Sequence, residues 1–104
     1  MTIRTKLLPI PGLTVCKGLI LLSPDACPSV LVHEQVHEKE WSLVWLVKYL
    51  LSPIFRVKAE FRAYKAQANS EGSHVTYYWK IIQDKYMLNA EAKALLTVMM
   101  WEAS

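Results

Sequence analysis

The chain has 104 residues, 53% of them hydrophobic and 20% charged, the size and balance of one folded domain with room for a single modest core, which excludes a disordered tail. Its 12 basic and 9 acidic side chains leave a net charge of +3, and the lysines and arginines are scattered, as on a solvated surface rather than a nucleic-acid face. Cys16 and Cys27 form no CxxC pair, which excludes a zinc knuckle. They read as two buried thiols in a reducing compartment, a single bridge being the alternative in an oxidising one.

The leading stretch "MTIRTKLLPIPGLTVCKGLILLSPDAC" puts positive charge ahead of apolar residues, as export signals do. Pro9, Pro11, Gly12, Lys17 and Gly18 interrupt the apolar core such a signal needs, so the protein is expected to be unprocessed and cytoplasmic. Residues 13–22, "LTVCKGLILL", lie between Pro11-Gly12 and "SPD" and predict one strand or a short hairpin. Asp25 is placed to cap the next helix and Pro28 to open its first turn, predicting a helix over about 28–40 that "WSLVWLVKYLLS" continues or bends from. The apolar run "SLVWLVKYLLSPIF" carries Lys48 and is too short to span a bilayer. Ordinary core packing is the expectation for Trp41, Leu43, Val44, Trp45, Leu46 and Val47, leaving at most a peripheral membrane contact.

Pro53 ends that stretch and opens a second helix, "PIFRVKAEFRAYKAQA", rich in good helix formers. "NSEGSH" (69–74) reads as a loop, and "VTYYWKIIQDKY" as helix in preference to strand. Asn89 caps "AEAKALLTVMMWEA", with Glu91 in its first turn. The expected architecture is an α+β fold: a mainly helical single domain over 1–104, with a short N-terminal strand or hairpin beside the first helix.

Within that helix "HEQVH" places His33 and His37 four residues apart with Glu34 between them. At about 100° per residue the two histidines lie about 40° apart on one face, so their imidazoles can grip one ion. Glu34 points about 100° away, within reach of a water on that ion. This is the arrangement for metal-assisted hydrolysis: two neutral nitrogen ligands, and a carboxylate that takes the proton from the metal's water. An exposed polar helix face, "HEQVHEKE", is the competing account.

A catalytic zinc needs a third protein ligand and an open position. Glu60 is the best candidate: it sits on the second helix, after enough chain to turn back, and is flanked by the small Ala59 and Ala63. Tyr64, one turn on, can orient that carboxylate or touch substrate. Pairing of Glu60 with Arg56 or Tyr64 is the alternative. His74, in the "NSEGSH" loop, is the rival ligand, or a transition-state stabiliser, or a surface histidine. Glu38 and Glu40 are poorly placed.

"LVHEQVHEKEW", "KYLLSP" and "RVKAEFRAY" together resemble the small phage- and bacterium-encoded zincin-like metallopeptidases of the gluzincin type, over roughly residues 20–68. The resemblance implies that His33, His37 and Glu60 hold zinc, that Glu34 is the general base, and that the strand before the histidine helix is the edge on which an extended peptide lies. Phe61 and Arg62 stand where the family commonly has a second acidic residue. The implied activity is hydrolysis of peptide amides, with Tyr77, Tyr78, Tyr86 and His74 as available donors to the oxyanion. A chain this short has little material for cleft walls, so the expectation is either a short substrate or a second subunit or protein partner that completes them. The alternative is a zinc-stabilised structural or assembly protein without catalysis, such as a phage-particle component. In that case the apolar run 41–47 would be the contact surface. A fourth protein ligand, or Glu34 locked in a salt bridge, would favour that alternative. No nucleic-acid partner is expected.

Overall fold

The computed structural model describes residues 1–8 and 10–104; Pro9, read above as interrupting the leading apolar stretch, lies outside the described residues. The N-terminal part forms strands β1 (Thr2–Arg4), β2 (Gly12–Cys16) and β3 (Leu19–Leu22) in one sheet of order β1-β3-β2. β2 and β3 are the expected hairpin, paired antiparallel with a bulge between Thr14 and Cys16. Their turn is closed by Gly18 at φ +92°, a conformation that costs glycine nothing. The unexpected strand is β1, which pairs parallel with β3, Thr2 opposite Ile20 and Arg4 opposite Leu22. Fully buried Ile20 and Leu22 give β3 its inward face.

Five α-helices follow: α1 (Pro28–Glu40), α2 (Leu43–Leu51), α3 (Pro53–Glu71), α4 (Trp79–Lys85, preceded by a 3-10 turn, Val75–Tyr78) and α5 (Ala90–Ala103). The mainly helical α+β architecture is thus as the sequence reads. The α1 boundaries also agree, but its cap does not. Cys27 occupies the N-cap position with no side-chain bond, and Val30 N–H is met by the Cys27 carbonyl. Pro28 at the first turn has no N–H to satisfy, so the expected cap by Asp25 is not needed.

The α1–α2 junction is a break rather than a bend. Ser42 leaves helical geometry and its side chain accepts from Trp45 N–H. Ser52 does the same for α3, accepting from Phe55 N–H ahead of a first-turn proline. α3 runs past the expected loop start to Glu71 and stops at Gly72, φ +75°, with Ser73 N–H bonded back to the Ala68 carbonyl, a glycine-terminated end that satisfies the last carbonyls. Residues 69–71 are therefore helical.

α3 is the central element. One side joins α4 and α5 in the core, through Val57, Phe61, Tyr64, Ala68, Ile82, Leu96 and Met100. The other packs most extensively against α1, where fully buried Ala59 and Ala63 let two backbones approach. Two expectations about burial fail. Cys16 is half-buried and Cys27 exposed, both as free thiols. None of the residues of α2 is fully buried, so core packing does not account for its aliphatic side chains.

Candidate metal centre

α1 carries His33 and His37 one turn apart, and α3 crosses beneath them with Glu60. The Nε2 atoms of both histidines lie 3.0 Å from one oxygen, Glu60 Oε1. The imidazoles meet edge to face, 4.9 Å between centroids. All three residues are buried, Glu60 to 2% exposure. Among the described residues no fourth histidine, cysteine or carboxylate joins this group, whose ligand atoms lie within 4.8 Å of one another.

The donors fit a metal ion. Zinc–ligand bonds of about 2.0–2.1 Å in a tetrahedron put donors about 3.3 Å apart, so the two 3.0 Å separations between Glu60 Oε1 and the histidine nitrogens need to open only by tenths of an ångström. Two imidazoles and one carboxylate with an open side also suit ferrous iron. His33 Nδ1 and His37 Nδ1, both buried, have no hydrogen-bond partner. Each ring therefore directs its only partnered nitrogen at the shared centre and lacks the outer acceptor that commonly holds a metal-bound histidine.

Burial and charge act against each other here. Burial alone would lower the His37 pKa, but the hydrogen bond and charge of Glu60 reverse this and hold it above its usual value. Burial alone would raise Glu60, yet its bonds to His33 and His37 hold it far below the carboxylate range. Glu60 is thus an anion in a buried site.

The residue that orients Glu60 comes from α2. Tyr49 Oη donates to Glu60 Oε2, the oxygen turned away from the histidines. Burial first, and then the Glu60 charge, push the Tyr49 phenol well above its usual pKa, so it stays a neutral donor. Trp45 stacks on Tyr49 at 5.0 Å and reaches the His37 ring at 5.6 Å. Sequence reasoning missed Tyr49. The available signal was an aromatic pair, Trp45 and Tyr49, four apart on an otherwise aliphatic helix.

Tyr64 does not orient Glu60. Its ring lies edge-on to His33 at 4.2 Å and its hydroxyl pairs with Tyr86 Oη at 2.8 Å; burial, then the Glu60 charge, push its phenol up to about 12 against the relief given by Tyr86. Arg56 is spent on the backbone carbonyls of Tyr49, Leu50, Tyr86 and Met87, so neither expected alternative partner of Glu60 is used. His74 is exposed and caps the 3-10 turn through Thr76, and Tyr77 is 74% exposed. Neither lines the cleft at the triad, whereas Tyr78 and Tyr86 do. Glu38 accepts from Gly18 N–H and Glu40 is held by Arg62 at 2.7 Å.

Glu34 stands beside the triad on the sheet side. Its Oε2 is 3.9 Å from His33 Nε2, while Thr14 Oγ1 of β2 lies 3.0 Å from its Oε1 and 2.9 Å from its backbone oxygen. No lysine or arginine pairs with it among the described residues. Gly12 makes this proximity possible: a Cβ there would come within 2.9 Å of Val30 Cγ1 and 3.0 Å of Glu34 Cγ.

These groups line a cleft of about 460 Å³ bounded by β2, α1, α2, α3 and the Tyr78–Tyr86 segment. β2 is an edge strand. Pro11 O accepts from Ser23 N–H, and antiparallel pairing alternates, so Gly12 and Thr14 turn their backbone groups away from β3. Compared with protein-family models, curated proteins and solved structures, the chain matches none.

Proposed function

We propose that the protein is a zincin-like metallopeptidase, with His33, His37 and Glu60 as ligands of a divalent ion, zinc by preference, and Glu34 as general base. The observation that carries this reading is the convergence of two imidazole Nε2 atoms on one buried carboxylate oxygen, with a second carboxylate beside it that no lysine or arginine among the described residues neutralises and an open cleft in front. A divalent ion held there lowers the pKa of water in its open position towards neutrality and polarises a carbonyl.

The chain's own residues supply the rest. Glu34, steadied by Thr14, accepts the water's proton and returns it to the leaving amine. Tyr49 keeps Glu60 turned towards the histidines. The outward backbone groups of Gly12 and Thr14 offer an extended peptide a strand to pair with. Trp45, Leu46, Leu50 and Ile81 make the cleft walls apolar.

A second reading keeps the ion but not turnover, making the protein a metal-stabilised assembly component; the outward-facing aliphatic side chains of α2 favour it. One set of measurements separates the two. Protein purified without chelator is assayed for zinc and iron, and for hydrolysis of a quenched peptide library, as wild type, His37→Ala, Glu60→Ala and Glu34→Gln. About one ion per chain, lost from the first two variants, is expected. Glu34→Gln keeps the ion and loses activity by about 10²–10⁴-fold. Bound metal without hydrolysis in the wild type selects the assembly reading, and failure to take up metal refutes both.

A further inference from the structure

α2 is turned inside out. At about 100° per residue, Leu43, Val44, Val47, Leu50 and Leu51 share one arc of about 120°, and all five face solvent at 48–78% exposure. Trp45 and Tyr49 occupy the opposite side, against the metal centre. A sixth apolar group extends the patch. Met87, 86% exposed, sits at the tip of a turn with φ +54°, and Arg56 ties that turn to the end of α2 by bonding the carbonyls of Tyr49, Leu50, Tyr86 and Met87 together.

Along α2 and the start of α3 the charge has one sign. From Trp41 to Ala59 the chain carries Lys48, Arg56 and Lys58 and no aspartate or glutamate. Lys48 flanks the exposed arc. Arg56 has only neutral carbonyl partners, so its charge is not cancelled. Glu40, which reaches Trp45 Nε1, is itself taken by Arg62.

We infer that this face docks on an anionic membrane surface, with α2 lying in the plane of the interface, aliphatic side chains among the lipid tails and Lys48 and Lys58 at the headgroups. An apolar face rimmed by cations is the pattern of an interfacial helix. Nine residues cannot cross a bilayer, and no helix among the described residues is long and apolar enough to do so. A second copy is the weaker occupant: a two-fold contact through α2 would set Lys48 and Arg56 of one chain against the same cations of the other. Leu46 and Leu50 belong both to α2 and to the cleft wall, so docking in this way places the cleft mouth beside the lipid. The inference is independent of whether the site turns over peptides.

The test is vesicle co-sedimentation of the whole protein with phosphatidylcholine vesicles with and without phosphatidylglycerol, beside its elution volume in size exclusion. Wild type is expected to bind the anionic vesicles, less at high salt, and to elute as a monomer. Val47→Glu/Leu51→Glu changes two exposed side chains that do not line the cleft; it should keep the wild-type circular dichroism and metal content and bind vesicles at least about tenfold more weakly. Lys48→Gln should lose about fivefold on anionic vesicles and little on neutral ones. No binding by wild type overturns the inference. So does equal binding by Val47→Glu/Leu51→Glu, and so does a wild-type dimer that this variant dissociates without any vesicle binding.

Discussion

Replacing Tyr49 by phenylalanine removes one oxygen and tests how the metal centre is held. In the folded protein Glu60 Oε2 accepts from Tyr49 Oη, while Oε1 faces both histidines. At 2% exposure the carboxylate has little access to replacement water. Stranding a buried charged acceptor costs about 2–3 kcal/mol, and in a domain of this size each kcal/mol moves the melting temperature by about 4–8 °C. Tyr49→Phe should therefore melt roughly 10 °C or more below wild type. Freed from its outer partner, the carboxylate also holds a metal about 10–100-fold less tightly. Tyr64→Phe is the control, because its hydroxyl pairs with Tyr86 and not with Glu60. It should lose about 1 kcal/mol of stability and no metal affinity. Thermal unfolding with chelator, and zinc competition against a chromophoric chelator, read the two quantities separately. A Tyr49→Phe protein that binds zinc like wild type, or a Tyr64→Phe protein that binds it worse, would refute this account of what positions Glu60.

The metal-free protein should show a stability optimum on the acid side of neutrality. Glu60 is held below its ordinary 4.5, so its contribution is present above that pH and lost as pH falls through the depressed value. His37 is held above its ordinary 6.5, so its contribution is full below that pH and lost as pH rises through the raised value. Urea unfolding in chelator should peak between those two pH values, while zinc affinity, which needs neutral imidazole, strengthens as pH rises through the His37 value. Gly12→Ala should cost about 1–3 kcal/mol by overpacking against Val30, Glu34 and Leu22, and because it displaces Glu34 it should reduce hydrolysis more than metal content. Arg56→Lys should destabilise by about 1.5–3 kcal/mol, since an ammonium cannot span the four carbonyls that the guanidinium joins; denaturant unfolding measures the loss.

What could be read from sequence was what depends on neighbours along the chain. Pro28, Pro53 and the i, i+4 histidines are local, and α1 and the start of α3 lie where those residues put them; the Ser42 cap, equally local, is what separates α2 from the helix it is expected to continue or bend from. Glu60 was found because the ion's geometry demands a third donor and few carboxylates were available. Tyr49 is not legible in this way, because its hydroxyl reaches Glu60 only after two serine-capped breaks lay α2 against α3. The β1–β3 pairing is equally non-local: nothing in "TIR" specifies a parallel partner. His74 and Tyr77 have the chemical capability of site residues, and tertiary structure turns both to solvent. The aliphatic residues of α2 misled for a plain reason. Apolar composition reports what a side chain prefers to touch, and it does not say whether the partner is the same chain.

Two helices of this protein thus break the rule that stabilises small domains, and they break it in opposite directions. α1 fully buries Ser29, His33, Glu34 and His37 and leaves Val30, Leu31, Val32 and Val36 only half-covered, while α2 buries nothing fully and turns five aliphatic side chains outward. A domain stable by about 5–15 kcal/mol has little margin for a buried carboxylate, two imidazoles with unpartnered nitrogens and a wasted apolar face. Packing alone would favour the reverse, and apolar replacements for buried charged groups are often stabilising by about 1–4 kcal/mol. Local conflicts of this kind are expected where a chain does something besides fold. An ion at the proposed centre would offset the first conflict, since any ligand that binds only the folded state adds stability in proportion to the logarithm of its concentration over its Kd. The proposed lipid surface would offset the second. His33→Leu/His37→Leu/Glu60→Met should then be more stable than the metal-free wild type and indifferent to zinc. If that variant is instead less stable than metal-free wild type, the polar triad is a structural network in its own right, and the case for a site that sacrifices stability for chemistry fails.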